Sequence, residues 1–438
     1  MSTDRRNTLE RLLSVFAEVR GGEGRPTVLL AVAVFLLMTS YYIIKPLREG
    51  LILAGGGAEV KSYASAGQAL LLLGLVPLYG RLASRLPRLR LIAAVTFFFV
   101  ACLAAFFALG EAGVPLGVPF FLWVGVFNVM IVAQLWSLAN DLFSPGQGKR
   151  LFAIIGFGAS AGAVAGNVVV GGLIAPLGLF VPMLLAAALL VLSLVFIRAA
   201  ASYRSPAVPD VAGAAQEPVG DTPVFRLMRR NRYLALLALL VLVANWVNTT
   251  GEYLLGRFVA ESAARAAADG TAGGLSPGEW IGHFYASFYG VVNTATLVFQ
   301  LLLVSRVVKY VGVRAGLLVL PVIAAVGYGL LIVWPVLSVV RWAKTAENAT
   351  DYSLQNTLRN ILWLPASREE KYKAKQFVDT FCQRAGDMLS AAVVYAGTTW
   401  LSATVSGFAA FNLGLLVIWT VCAVALGRRF ARATGNGA

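Results

Sequence analysis

Three charged residues, Lys45, Arg48 and Glu49, interrupt an apolar run that begins near residue 27 and continues through Tyr41–Leu53. The run is long enough to cross a bilayer. Each charge at the centre of such a helix costs roughly 2.5–3.5 kcal/mol, so the three must face a polar interior or one another. At about 100° per residue, Tyr41, Lys45, Arg48 and Glu49 share one face. The chemistry open to them is recognition of an anion by two desolvated cations, with a neighbouring carboxylate as counter-ion, coupling group or gate. Pro46 cannot donate to the carbonyl of Tyr42, which predicts a kink and a free carbonyl on the same face.

A second row is Arg341, Lys344, Glu347, Asn348 and Asp351, spaced by 3, 6, 7 and 10 from its first member and so on one helical face. Arg341 and Lys344 are candidate solute contacts, with Lys344 pairing to Glu347 or Asn348 as the plain structural alternative. Glu347 and Asp351 are candidate coupling or gating groups. In a third row Asp379, Gln383 and Asp387 lie one turn apart, while Arg384 leans away and is expected to pair with another helix. Glu252 stands among Asn245, Asn248 and Thr249, and an isolated intramembrane carboxylate is a proton or solute site by default. Asp141 ends an apolar run beside Lys149 and Arg150, where it could be a gate or a helix-end pair. The cations Lys45, Arg48, Arg341, Lys344 and Arg384 nearly balance Glu49, Glu252, Glu347, Asp351, Asp379 and Asp387. That balance argues against a strongly positive cavity of the kind a polyanion prefers.

The elements that hold these rows follow from composition. Of 438 residues, 58% are hydrophobic and 13% charged, and the mean hydropathy is +0.76. A soluble chain would carry about a quarter charged residues, so a polytopic all-α membrane protein is implied. Twelve spans are predicted at 27–54, 62–80, 91–110, 119–142, 151–174, 178–197, 233–258, 282–304, 316–334, 335–357, 376–400 and 407–427. Basic residues alternate between the gaps, placing both termini and the basic loops in the cytoplasm. The net charge of +15 therefore belongs to membrane topology rather than to nucleic-acid binding.

The Pro- and Ala-rich stretch Ser202–Pro223 reads as a linker. It predicts an amphipathic N-terminal segment over 1–26, six-helix halves over 27–200 and 231–427, a linker over 201–230 and a tail over 428–438. Ala260–Trp280 reads as a flexible extra-cytoplasmic loop. Gly158, Gly162 and Gly166 predict a smooth ridge for close helix packing rather than a phosphate loop. Trp123, Trp136, Trp334 and Trp400 are placed near span ends as interface anchors. His283 has no second histidine or cysteine nearby, and Cys102, Cys382 and Cys422 read as buried thiols. No metal, cofactor or nucleophile–base constellation is expected, hence no enzyme.

The two halves echo each other: Ser137-Leu138-Ala139-Asn140 against Ser353-Leu354-Gln355-Asn356, and Glu49 against Glu252. Parallel six-span repeats resemble the major facilitator architecture, which implies a solute site near the midplane between the halves. More narrowly, the chain resembles the ATP/ADP translocase family. Tyr41–Leu53 is similar to that family's first-helix motif, with Lys45, Arg48 and Glu49 where it has Arg, Lys and Asp. Glu252 matches its span 7 glutamate, Trp136 with Ala139-Asn140 resembles the end of its span 4, and Lys375, Asp379 and Gly386 resemble its span 11. Two positions depart: apolar residues near Val124 replace a glutamate, and Asp387 stands where the family needs a lysine. The resemblance implies a secondary transporter of a small anionic solute in a bacterial cytoplasmic membrane, with ATP-for-ADP antiport as one form and a monomer as the expected state. The alternatives are proton-coupled movement of another organic anion, and a non-transporting receptor on a carrier fold.

Overall fold

The computed structural model describes residues 7–14, 17–83, 86–203 and 224–434. Among these every regular element is helical. A short α1 (Thr8–Leu13) precedes α2 (Gly24–Ala83), α3 (Arg88–Glu111), α4 (Gly117–Leu142), α5 (Pro145–Leu177) and α6 (Val181–Ala201). After α7 (Val224–Arg230) come α8 (Arg232–Ala268), α9 (Pro277–Leu302), α10 (Val304–Arg306) and α11 (Gly312–Val333). The chain ends with α12 (Leu337–Thr350), α13 (Asn356–Ile361), α14 (Arg368–Phe377), α15 (Gln383–Thr399) and α16 (Val405–Ala433). Three wide π turns join α10 to α11, α12 to α13 and α14 to α15, at Val307–Val311, Asp351–Gln355 and Val378–Cys382.

Among the described residues, seven helices are long and apolar enough to cross a membrane, and the protein is a multi-pass membrane protein. α12 and α15 carry the charged rows, so hydropathy alone does not mark them. All twelve predicted spans fall on helix, the first two being limbs of α2. The break between those limbs is at Gly57 (φ 71°, ψ −174°), a left-handed conformation that a residue without Cβ adopts at little cost. At Pro46, where the sequence leads one to expect a kink, the dihedrals stay within the helical range, and the non-helical residue of α2 is Gly57. Ala260–Trp280 is not a loop throughout, because α8 continues to Ala268. Residues 204–223 of the linker lie outside the described residues.

The described chain divides into two compact units. The first comprises residues within 1–55, 71–216 and 272–290, and the second those within 56–70, 217–271 and 291–438. The opening half of α9 thus belongs to the first unit. Trp123, expected at an interface, instead stacks with Phe120 and Phe127 and meets Phe99 and Phe106 edge-on in the first unit's core. Trp334 and Trp400 are 57% and 72% exposed, as an interfacial position requires.

In the first unit the glycine ridge packs as read. A Cβ at Gly158, Gly162 or Gly166 would overlap the carbonyl oxygen of Ala31, Phe35 or Thr39, so α5 lies directly on the backbone of α2. Gly162→Ala should therefore lower stability by about 1–3 kcal/mol, because two backbones must separate. Gly156 faces open space, so Gly156→Ala is the matched control and should cost nothing; thermal unfolding of the two variants in detergent checks this.

Each unit closes one end with the same device. Ser144 and Gln147 form a capping box at the start of α5, and the Gln147 amide donates to Glu23 Oε1 (3.1 Å) just before α2. In the second unit Ser367 and Glu370 cap α14, and Glu370 Oε1 accepts from the Asn231 amide (2.8 Å) just before α8. Arg150 strengthens the first version with bonds of 2.9 and 3.1 Å to the Glu23 carboxylate. Burial raises the Glu23 carboxyl, but Arg150, the Arg20 amide and Gln147 more than offset this and hold it below its ordinary value. A carboxyl depressed in the folded state contributes stability above its unfolded pKa and loses it as pH falls through the folded one. Glu23→Gln should thus cost about 1–3 kcal/mol at pH 7. The gap between variant and wild type should close as the pH is taken well below the glutamate range, which thermal unfolding at a series of pH values reads directly.

Candidate functional site

In the first unit α2 presents Lys45, Arg48 and Glu49 as its sequence predicts. Glu49 is fully buried. Arg48 holds it with Nε at 3.1 Å and with a short second bond from Nη2. The Tyr289 hydroxyl, one turn beyond Tyr285 on α9, approaches the same Glu49 oxygen at 3.4 Å. Lys45 Nζ stands 3.8 Å from the centre of the Tyr289 ring and 5.4 Å from that of Tyr42. The Arg48 guanidinium lies 4.7 Å over Phe121 of α4. The result is two cations, one carboxylate and a wall of aromatic faces. Such faces attract a cation by about 0.5–2 kcal/mol.

The second unit is built around Lys344 of α12, which is 2% exposed. Its Nζ donates to Asn248 Oδ1 (2.8 Å) and lies 3.0 Å from Glu347 Oε1 and 3.6 Å from Glu252 Oε1. Glu252 also accepts from the Asn348 amide at 3.0 Å. The expectation of an isolated Glu252 is therefore corrected: α12 supplies it with a cation and a donor. Gly251 makes the approach possible, since a Cβ there would overlap the Tyr328 hydroxyl and lie 3.2 Å from Lys344 Nζ. Arg341 is half-buried and sets its guanidinium 5.9 Å from the Trp342 ring.

Asp387 of α15 is the second node. Its Oδ1 accepts from Asn245 Nδ2 and Thr249 Oγ1, both at 2.8 Å, and its Oδ2 accepts from Arg384 at 3.0 Å. Arg384 was expected to reach another helix; it pairs within its own, and Asp387 carries the connection to α8. Gly386 lets α15 meet α8 here, where a Cβ would lie 3.0 Å from the Asn245 amide and from backbone atoms of Leu242 and Trp246. Asn245, Asn248, Glu347, Asp351, Arg359 and Gln383 line a cavity of about 40 Å³, large enough for about one water molecule. Asp351 opens one π turn and Asp379 lies within another. The wider turn takes Asp379 out of the regular row with Gln383 and Asp387. The side chain of Asp141 lies outside the described residues, and among those described no group of three metal-ligating side chains occurs.

Tyr289 and Phe121 are contacts that the sequence reading missed, as is the bond from Lys344 to Asn248, which was named only as a neighbour of Glu252. Tyr285 and Tyr289, four apart in an aromatic run, were the available signal for a ring-lined face on α9.

No family model matches the sequence, and a search of curated proteins finds no significant match. Solved structures do match in fold. A peptide-bound POT family transporter gives a TM-score of 0.64 at 13% identity, covering 96% of this chain and 98% of the other. The nucleoside transporter NupG gives 0.61 at 12%, covering 93% and 99%. The human organic anion transporter TETRAN gives 0.58 at 15%, covering 91% and 99%. The chain thus has the all-α major facilitator fold over nearly its whole length. These identities speak to fold alone.

Proposed function

We propose that the protein is a secondary transporter of a small organic anion working by alternating access. The observation that carries this is the cluster on α2. Lys45 is buried against the Tyr289 ring, and the largely buried Arg48 pairs with Glu49 one residue on. Charges desolvated within a membrane helix are costly and mark solute pathways, and two adjacent cations suit an anionic solute. Lys45 and Arg48 would bind the anion, and Glu49 would hold Arg48 in place until it arrives. The proteins sharing the fold are transporters by name, for peptides, nucleosides and organic anions, and no nucleophile–base pair on the page favours an enzyme. The setting we assign is a bacterial cytoplasmic membrane, both termini inside, with the protein a monomer whose partners are its solute and the bilayer.

ATP-for-ADP exchange is the narrowest form of this reading. Asp387 argues for a smaller anion, because its carboxylate is engaged by Arg384, Asn245 and Thr249 and offers a phosphate chain no cation. Counterflow in proteoliposomes decides between them. Vesicles preloaded with ADP, or with a simple dicarboxylate, are offered the labelled solute outside. Accumulation of dicarboxylate but not of ATP is the expected result; accumulation of neither, nor of any anion in a broad panel, from correctly inserted protein would overturn the proposal.

A second feature favours proton coupling. The charged residues that line the small cavity of the second unit are two carboxylates, Glu347 and Asp351, and one cation, Arg359. A surplus of carboxylates beside room for a water is suited to taking up a proton when the anion binds.

A further inference from the structure

A cavity of about 840 Å³ lies where α11 begins and α16 ends, far along the chain from every group described above. Four cations line it: Lys309, Arg314, Arg428 and Arg432. All four are exposed. Among the described residues no acidic side chain lines the cavity, and the sequence has none in 301–320 or 421–438. The cations therefore face one another across a basin without a counter-charge in the segments that build it.

The backbone shapes this basin in two ways. The π turn Val307–Val311 widens the helix and ends at Gly312, whose φ of 79° turns the chain back into α11. π turns of this kind interrupt a helix at a cost and recur at functional sites. Across the basin, Gly427 brings α16 against α11: a Cβ there would lie 3.1 Å from Arg314 Cγ. The first carbons of Arg314 thus pack on α16, while the residue as a whole stays exposed.

The chain leading into the basin exposes apolar side chains. Leu301, Leu302 and Leu303 are 62%, 52% and 46% exposed, Val311 is 52% exposed, and Tyr310 is 74% exposed. In a membrane protein this is a surface for acyl chains, with the tyrosine at headgroup level. A soluble anion would use the cations and leave these exposed apolar side chains unexplained. A cationic basin opening onto an acyl-chain surface matches an amphiphile with a phosphate at one end.

We propose that this basin is a binding site for the headgroup of an anionic phospholipid, whose acyl chains lie along Leu301–Leu303. The proposal is independent of which solute is carried.

The test uses full-length protein in detergent, offered phosphatidylglycerol, phosphatidylcholine or inorganic phosphate. Retained lipid is counted by native mass spectrometry and the apparent Tm is recorded. One variant carries Lys309→Gln, Arg314→Gln, Arg428→Gln and Arg432→Gln together. A control carries Arg226→Gln, Arg229→Gln and Arg230→Gln, removing three exposed arginines of α7. Phosphatidylglycerol should be retained at least fivefold more by wild type and control than by the fourfold variant, and should raise the Tm of the first two only. If the fourfold variant is unstable in phosphatidylcholine, Arg428→Gln with Arg432→Gln replaces it and should lose about half the retained lipid. Equal retention by the basin variant and wild type, equal loss in the α7 control, or a Tm rise fully reproduced by inorganic phosphate would each overturn the proposal.

Discussion

Arg48→Ala should lower solute uptake about hundredfold while the protein still inserts. A guanidinium that meets a carboxylate or phosphate in a desolvated site supplies charge-assisted, two-pronged hydrogen bonds. Removing one partner of such a pair costs about 2–5 kcal/mol, and each 1.4 kcal/mol is a factor of about ten in affinity. The same substitution also takes the guanidinium from Glu49, which is fully buried, and breaking a buried pair destabilises by about 3–5 kcal/mol. Loss of transport by the single variant is therefore ambiguous between a missing solute contact and a damaged helix. The double variant Arg48→Ala/Glu49→Gln separates them. A neutral amide at position 49 no longer needs the cation, and the Tyr289 hydroxyl remains close by. Thermal stability should return toward wild type, yet uptake should stay at the level of the single variant. Recovery of uptake in the double variant would mean that Arg48 serves only to neutralise Glu49, and the anion site would have to be sought elsewhere.

The readable and unreadable parts of this molecule divide along physical lines. Charges in an apolar run are costly wherever they occur, so the polar faces of α2, α12 and α15 could be found from composition and spacing. The Gly158–Gly162–Gly166 ridge was legible for a similar reason: three residues without side chains on one face have little use except close packing. Partners drawn from distant segments were not legible. Tyr289 reaches Lys45 and Glu49 across some 240 residues of chain, and nothing local to either residue announces the other. Lys344 was seen beside Glu347, its neighbour by three, but its approach to Glu252 depends on Gly251 leaving room. The π turns were also hidden. Counting at a fixed angle per residue carries a row past Asp351 and Asp379 without registering that the helix widens there. Arg384 and Asp387 both lie beyond the last of these turns, and their pairing follows from ordinary i,i+3 spacing within α15.

Glu252→Gln should abolish net uptake driven by a proton gradient, by tenfold or more, and leave exchange of internal for external solute largely intact. The reason lies in how Lys344 is shared. Glu347 is its close partner at 3.0 Å, with a side chain only 5% exposed, whereas Glu252 is 3.6 Å away and 22% exposed. Protonating Glu252 leaves Lys344 paired with Glu347 and bonded to Asn248, so a proton can come and go there without stranding a buried ammonium. Protonating Glu347 would remove the closer and drier partner. Glutamine at 252 copies the protonated state permanently and can still accept from Asn348, so stability should change by less than about 1 kcal/mol. Glu347→Gln, in contrast, should lower the Tm clearly and impair both modes of transport. Paired assays in the same vesicles, one with a pH step and one with solute preloaded, read the two modes separately. Undiminished uptake on the pH step by Glu252→Gln would remove this carboxylate from the coupling mechanism. Equal loss of both modes, in protein of wild-type stability, would instead make Glu252 a solute contact, and the proton would then have to bind at another carboxylate, Asp351 in the lining of the small cavity or Asp387 beside Asn245 and Thr249.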